Sequence, residues 1–264
     1  MSSGWDTYNR AADAYRAVRP VYPTAVFDCI ERYAPSLPSV PRVLEIGAGS
    51  GQATRQMLVR GWQVLAVEPG ADLARAARTG LAEFARFSLQ VARFEEADVA
   101  DGDFDLITSA TAWHWVDPVV GLPKAARLLR PQGTVALWWN AHVPDTAEPR
   151  WAPIRQVYER VAPHLARLAP LTPDRPEYDP VAEISESPWF TDVERHDFPF
   201  AVSYMAPEFL ALIGTYASHR TLDDHTRDRL HAALVETIDG ELGGTVTKPY
   251  NCLLVLATAN GHDV

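Results

Sequence analysis

Lysine is nearly absent from this 264-residue chain: Lys124 and Lys248 are the only two among 24 basic residues, and 34 acidic residues leave a formal net charge of −10. That balance offers no broad positive field for phosphates, so a nucleic-acid partner is not expected, although a local cationic pocket is compatible with it. The preference for arginine fits GC-rich coding and points to no function. Cysteine is as scarce. Cys29 and Cys252 lie far apart in apolar surroundings, which predicts two reduced, buried thiols and excludes both a disulfide framework and a cysteine-spaced metal site. Long apolar runs are missing too, since no stretch approaches the ~20 residues of a membrane span. The opening Met1-Ser2-Ser3-Gly4-Trp5-Asp6 has no basic segment followed by an apolar run, so the expected location is the cytoplasm.

What the chain does have is apolar residues, 47% of the total, enough for one large core. The expected organisation is a single domain over 1–264: an N-terminal arm and helix (1–40), a core (41–142), an inserted cap (143–188), and C-terminal strands and helices (189–264). Within the core, short apolar runs alternate with helical patterns, the rhythm of parallel strands joined by crossover helices. Strands are predicted at 43–46, 64–68, 88–94, 104–109 and 134–140. Helices are predicted at 52–60, 72–79 and 118–130, the first two stopped by Gly61 and Gly80 and the third by Pro131. The proline-rich stretch 143–188 loses the strand rhythm and reads as a helical cap. Strands at 193–200 and 251–258, separated by helices at 208–216 and 223–238, complete the chain.

The segment VLEIGAGSG sets Gly47, Gly49 and Gly51 between a buried strand and a helix. Glycines there let backbone N–H groups approach a nucleotide-type ligand closely. Spacing separates the ligand classes. A dinucleotide fingerprint wants a third glycine three positions after the second, where Gln52 stands instead. Glu45, two residues before the first glycine, gives a pyrophosphate nothing but suits an ammonium group, directly or through water. S-adenosylmethionine carries an ammonium and no phosphate. Glu68, closing the second strand, is placed to accept from two ribose hydroxyls, a role shared with NAD enzymes. Phe94 and Glu95 end the predicted third strand, where they read either as an apolar edge and acceptor for adenine or as a core Phe beside a solvated Glu.

These residues resemble the class I S-adenosylmethionine-dependent methyltransferases, and within them the small-molecule branch that includes trans-aconitate methyltransferase-like proteins. The marks are Glu45-Ile46-Gly47-Ala48-Gly49-Ser50-Gly51, Val67-Glu68-Pro69, Phe104-Asp105-Leu106, Ala112-Trp113-His114-Trp115, and the LLRPQG run ending at Gly133. The resemblance implies an open α/β fold: a seven-stranded, mostly parallel sheet with helices on both faces and the last strand antiparallel. It further implies that Gly47, Ala48, Gly49 and Gly51 hold the methionine part, that Glu68 with Pro69 holds the ribose, and that Phe94 and Glu95 face adenine. Ser109 and Ala110 would line the sulfonium side, and S-adenosylhomocysteine would be the product. Two positions depart from the common pattern: Gln132 stands where glycine is frequent, and Ser50 replaces a frequent threonine.

Methyl transfer from a sulfonium needs alignment and exclusion of water more than it needs a nucleophilic side chain. Trp113, His114 and Trp115 follow the fourth strand, where a small-molecule acceptor would meet the cofactor. The tryptophans read as acceptor walls or as loop packing, and His114 as a base or orienting group or as a loop anchor. His142, after the fifth strand, is a weaker candidate of the same kind. In similar proteins an N-terminal arm folds over the cofactor; here Tyr8, Tyr15 and Arg19 are its candidates, with Arg19 suited to a carboxylate, or they only pack. Tyr216, Ser218, His219 and Arg220 are candidates for substrate contact. The expected function is methylation of a small molecule, preferably on oxygen. The competing readings are a cofactor-keeping protein with another reaction or only a binding role, and a nicotinamide oxidoreductase.

Overall fold

The computed structural model describes residues 19–34, 37–142, 151–166 and 178–260. Tyr8 and Tyr15 lie outside them, as do parts of the expected cap. All seven strands are present in one sheet of order β3-β2-β1-β4-β5-β7-β6. The strands are β1 (Arg42–Ile46), β2 (Gln63–Val67), β3 (Phe87–Gln90), β4 (Phe104–Ala110), β5 (Leu129–His142), β6 (Phe190–Met205) and β7 (Thr245–Ala259). Strands β1 to β5 pair in parallel, and β7 runs antiparallel to both β5 and β6.

Alternation along the strands builds two apolar layers, because successive side chains point to opposite faces. Val43, Leu106, Ala136, Trp138 and Leu254 pack beneath α1 (Thr24–Tyr33), α2 (Gln52–Val59) and α3 (Ala71–Gly80). Their neighbours Leu44, Ile107, Leu137, Trp139 and Val255 face α4 (Pro118–Leu128) and α6 (Pro180–Ser185). Helix starts follow local chemistry: Asp117 and Asp179 cap α4 and α6 through backbone N–H groups, each followed by a proline at the first helical turn. A third apolar cluster gathers α5 (Ala152–Val161), α7 (Ala206–Gly214) and α9 (Asp224–Glu236) with Tyr204, Val246 and Tyr250. A short helix, α8 (Ala217–Arg220), lies between the last two.

Four details differ from the sequence expectation. Strand β3 stops at Gln90, and Phe94–Glu96 form a 3-10 turn instead. Lys124 Nζ, from α4, donates to the Glu95 and Ala97 carbonyls, which therefore turn toward α4 rather than along a ladder. Gly80 lies inside α3 and is not left-handed, whereas Gly61 is, at φ +85°. Helix α4 ends at Leu128, where β5 begins, so Pro131 falls in the strand. Gln132 is left-handed at φ +61°, a conformation that glycine adopts more readily. Finally, β6 and β7 are longer than predicted. Their ladder continues through Ala201↔Pro249 to Met205↔Thr245, past Tyr250↔His142 where β5 stops. That two-stranded extension carries the third cluster, which α5 of the expected cap joins, whereas α6 of the same stretch packs against the sheet.

Candidate active site

The strand order reverses around β1, with β2 on one side and β4 on the other. Such a switch point opens a crevice at the carboxyl ends of the strands. The glycine loop lies there, tied to β2 by Gly47 N–H donating to the Val67 carbonyl at 2.8 Å. All three glycines have positive φ, but for different reasons. A Cβ on Gly47 would stand 2.3 Å from Ala112 Cβ, and one on Gly51 would stand 2.7 Å from Leu81 Cδ1. A Cβ on Gly49 would meet nothing within 4 Å. Close packing therefore excludes a Cβ at Gly47 and Gly51, whereas the Cα of Gly49 faces open space.

Two buried carboxylates sit under this loop. Glu68 Oε2 accepts from Gly49 N–H and its Oε1 from Gly70 N–H, both at 2.8 Å. Burial pushes its pKa up, and the two backbone donors partly offset that. A carboxylate has about four acceptor sites, so two hydroxyl donors are still accommodated. Glu45 Oε2 accepts from the Thr54 hydroxyl at 2.5 Å, while Glu45 Oε1 is buried with no hydrogen-bond partner. Burial raises its pKa to about 7; Thr54 opposes the rise and the neighbouring Glu68 charge adds to it. An orphaned carboxylate oxygen beneath a loop with an open cradle at Gly49 is what a cation-bearing ligand leaves behind, so the residues present fit an ammonium.

Across the crevice, Ser109 Oγ donates to the Ile46 carbonyl at 2.9 Å, locking β4 to β1, and Ala110 is half-buried at the strand end. Thr111 follows at φ +57°, its hydroxyl 3.2 Å from Tyr22 Oη. Ala48 is buried and Pro69 half-buried beside the loop. A small cavity next to it is lined by Arg19, Pro20, Tyr22, Gln52, Thr111, Asn140 and Tyr250. Arg19 Nε donates to Thr215 Oγ1, and its guanidinium lies over the Tyr216 ring at 4.8 Å. His142 ends β5 opposite Tyr250.

Other candidates are placed differently. Phe94 is buried against Trp113, with ring centroids 6.0 Å apart. Glu95 accepts from Asp117 N–H; burial pushes its pKa up, but that bond and the Arg93 guanidinium outweigh it, and the net direction is down. Trp113 belongs to the core and donates to Glu183 Oε1, so of the two tryptophans only Trp115 keeps an exposed part. His114 is buried between Trp115 and Tyr178, its Nδ1 accepting from Trp139 Nε1 at 3.3 Å. In that arrangement the neutral ring carries its proton on Nε2. The sequence reading passed over Thr54, Thr111, Gln56, Asn140 and Tyr250. Asn140 had a signal, a polar residue following Trp138-Trp139 at a buried strand's end.

Residues 44–137 match the model of a methyltransferase domain. An uncharacterised methyltransferase of Mycobacterium tuberculosis is 32% identical over 214 residues, covering 80% of this chain and 76% of that protein. This chain belongs to the methyltransferase family. A methyltransferase of Schizosaccharomyces pombe, also uncharacterised, is 24% identical over 85% of the chain and 84% of its own length. Among solved structures, the Haemonchus contortus phosphoethanolamine N-methyltransferase 2, in complex with phosphomonomethylethanolamine and S-adenosylhomocysteine, superposes with TM-score 0.55 at 17% identity. It is covered over 98% of this chain, which spans 60% of that protein's length. The YcgJ protein of Bacillus subtilis gives TM-score 0.52 at 16% identity, over 91% of this chain and all of that one. At these identities the likeness is one of fold.

The methyltransferase uses S-adenosylmethionine, which supplies a methyl group on a sulfonium whose charge already activates the leaving group. The chain's own residues bind, align and exclude water. Neither a nicotinamide oxidoreductase nor a binding module without turnover is favoured by these relatives. Among the described residues no helix is long and apolar enough to cross a membrane.

Proposed function

We propose that this methyltransferase acts on an oxygen of a small-molecule acceptor, in the manner of the trans-aconitate methyltransferase-like branch. One observation carries the reading. Among the described residues the only buried carboxylates, Glu45 and Glu68, lie beside the glycine loop, whereas Lys248 is buried against the Trp151 and Tyr250 rings of the third cluster. A carboxylate or an acidic hydroxyl would meet an opposite charge there.

In this reading Gly47, Ala48, Gly49 and Gly51 cradle the methionine part with Glu45 Oε1 toward the ammonium. Glu68, beside Pro69, takes the ribose, and the Phe94-Glu95 turn closes the adenine end. Ser109 and Ala110 border the sulfonium, with Tyr15 and Arg19 contributed by the arm. Trp113 backs the acceptor wall from the core, Trp115 and Tyr216 belong to the acceptor side, and His142 is the further candidate for acceptor contact at the end of β5. His114 orients it by donation from Nε2, since Trp139 occupies its basic nitrogen. The whole is a single cytoplasmic domain acting on metabolites and not on nucleic acid.

Incubation with methyl-labelled S-adenosylmethionine and the small-molecule fraction of a bacterial extract, followed by mass spectrometry, tests this. Label on oxygen is expected, as an ester released by mild base or as a stable ether. Label on nitrogen, or only on macromolecules, would reject it.

A further inference from the structure

The chain turns sharply where β4 ends, and the residue that makes the turn is poorly suited to it. Of the three described non-glycine residues with positive φ, Thr111 (φ +57°), Gln132 and Asp192, only Thr111 is β-branched. A side chain branched at Cβ is the most crowded choice in the left-handed region, where glycine or asparagine sits with little strain. The turn itself has a packing reason, because Ala112 comes so close to Gly47 that a Cβ on the glycine would stand 2.3 Å from its own. That reason requires the bend but not the threonine. What threonine adds is a hydroxyl, half-buried, 3.2 Å from Tyr22 Oη and in the wall of the small cavity beside the loop. One bond between two hydroxyls is at best an even exchange for the strain.

Position gives that hydroxyl a use. The carboxylates assigned to the cofactor belong to β1 and the end of β2, and the sheet order puts β4 on the other side of β1. Thr111 follows Ala110 directly, and its N–H donates to the Trp138 carbonyl of β5 at 2.7 Å, so its backbone is fixed between two strand ends. With Tyr22 as donor in their shared bond, Thr111 turns its own proton away from Tyr22. We propose that the Thr111 hydroxyl touches the acceptor, donating to the oxygen that receives the methyl group. An anionic oxygen, of a carboxylate or an ionised hydroxyl, has lone pairs for both that bond and the methyl carbon. The oxygen–carbon bond forms as the carbon–sulfur bond breaks with its electron pair left on sulfur, and Thr111 keeps its proton. The inference rests on the oxygen-methylation reading above and adds the residue that aims the nucleophile, where a misplacement of about 1 Å costs about a hundredfold in rate.

Three variants test it. Thr111→Val keeps the shape without the hydroxyl, Thr111→Gly removes hydroxyl and strain together, and Thr111→Ser keeps the hydroxyl. Each is measured for oxygen-linked label formed from methyl-labelled S-adenosylmethionine and the small-molecule fraction of a bacterial extract, and for S-adenosylhomocysteine affinity by calorimetry. The Val and Gly variants are expected to form label about tenfold more slowly or worse, and the Ser variant to stay within about threefold of the parent. Affinity for S-adenosylhomocysteine should stay within about twofold in all three, since the hydroxyl serves the acceptor and not the cofactor. Parental rates in the Val or Gly variant, a Ser variant as slow as Val, or losses of rate matched by losses of affinity would each overturn the inference. A parent protein that puts no label on oxygen would instead reject the oxygen-methylation reading itself.

Discussion

The cofactor loop and the cap are built on opposite plans. In the loop the polar bonds are short in sequence: Thr54 to Glu45, Gly49 to Glu68, and Gly70 back to Glu68, separated by 9, 19 and 2 residues. In the cap they join distant segments, Arg19 to Thr215 across 196 residues and Tyr158 to His219 across 61. The buried charges differ in sign as well. Acids lie under the loop, and the cap holds Lys248, whose ammonium sits 5.0 Å from both the Trp151 and Tyr250 ring centres. Burial thus places opposite charges in the two regions, acids beside the glycine loop and an ammonium among the aromatic rings of the third cluster.

The sharpest way to break the comparison is at Glu68. Glu68→Ala removes the acceptor of two backbone N–H groups and the ribose partner together. S-adenosylhomocysteine affinity should fall about a hundredfold by calorimetry, since each charge-assisted bond is worth about tenfold or more. Unchanged affinity would take Glu68 out of the ribose site.

The same contrast explains what was legible. All seven strands and the loop were readable because each depends on a local pattern: apolar runs, glycine spacing and an acid at a strand end. Phe94 and Glu95 were misread as strand because the carbonyls there are satisfied by Lys124, some 30 residues on, which no window of sequence includes. The long β6–β7 ribbon was shortened for a similar reason. Pro249 and Lys248 argue against a strand, but pairing with Ala201 and Val202 overrides them. Asn140 and Thr111 were missed because their meaning comes only from β4 and β5 ending side by side, with Ala110 opposite Trp138. The cap's polar cluster had no spacing to give it away.

A smaller effect, with two opposite signs, belongs to Glu45. Its carboxyl in the free protein titrates near pH 7, above its ordinary range, so the folded state binds a proton that the unfolded chain releases. Stability of the free protein should therefore rise as the pH falls from about 7 toward about 4.5 through this group. Cofactor affinity should do the reverse, because an ammonium needs the ionised form. S-adenosylhomocysteine binding should weaken about fivefold from pH 7 to pH 6 and approach tenfold over the next unit. Glu45→Gln should flatten both profiles. A pH-independent affinity in the parent protein would remove Glu45 from contact with the ammonium.

The smallest effect lies in the cap and tests whether it is energetically separate. Burial holds the Tyr158 hydroxyl far above its ordinary pKa. His219 is pushed down to about 4, by burial first and then by the charges of His231, His164 and Lys248. At pH 7 the phenol is therefore un-ionised and the imidazole neutral, and Tyr158 Oη and His219 Nε2 share a hydrogen bond of 2.8 Å. Tyr158→Phe removes that hydrogen bond in an apolar cluster, which should cost about 1–2 kcal/mol in urea unfolding. Affinity for S-adenosylhomocysteine should stay within about twofold, because the lost bond touches nothing under the glycine loop and distant sites act independently. A tenfold loss of that affinity would mean the cap's packing reaches the cofactor, through Tyr250 and Arg19, and that the two regions are one cooperative site rather than two.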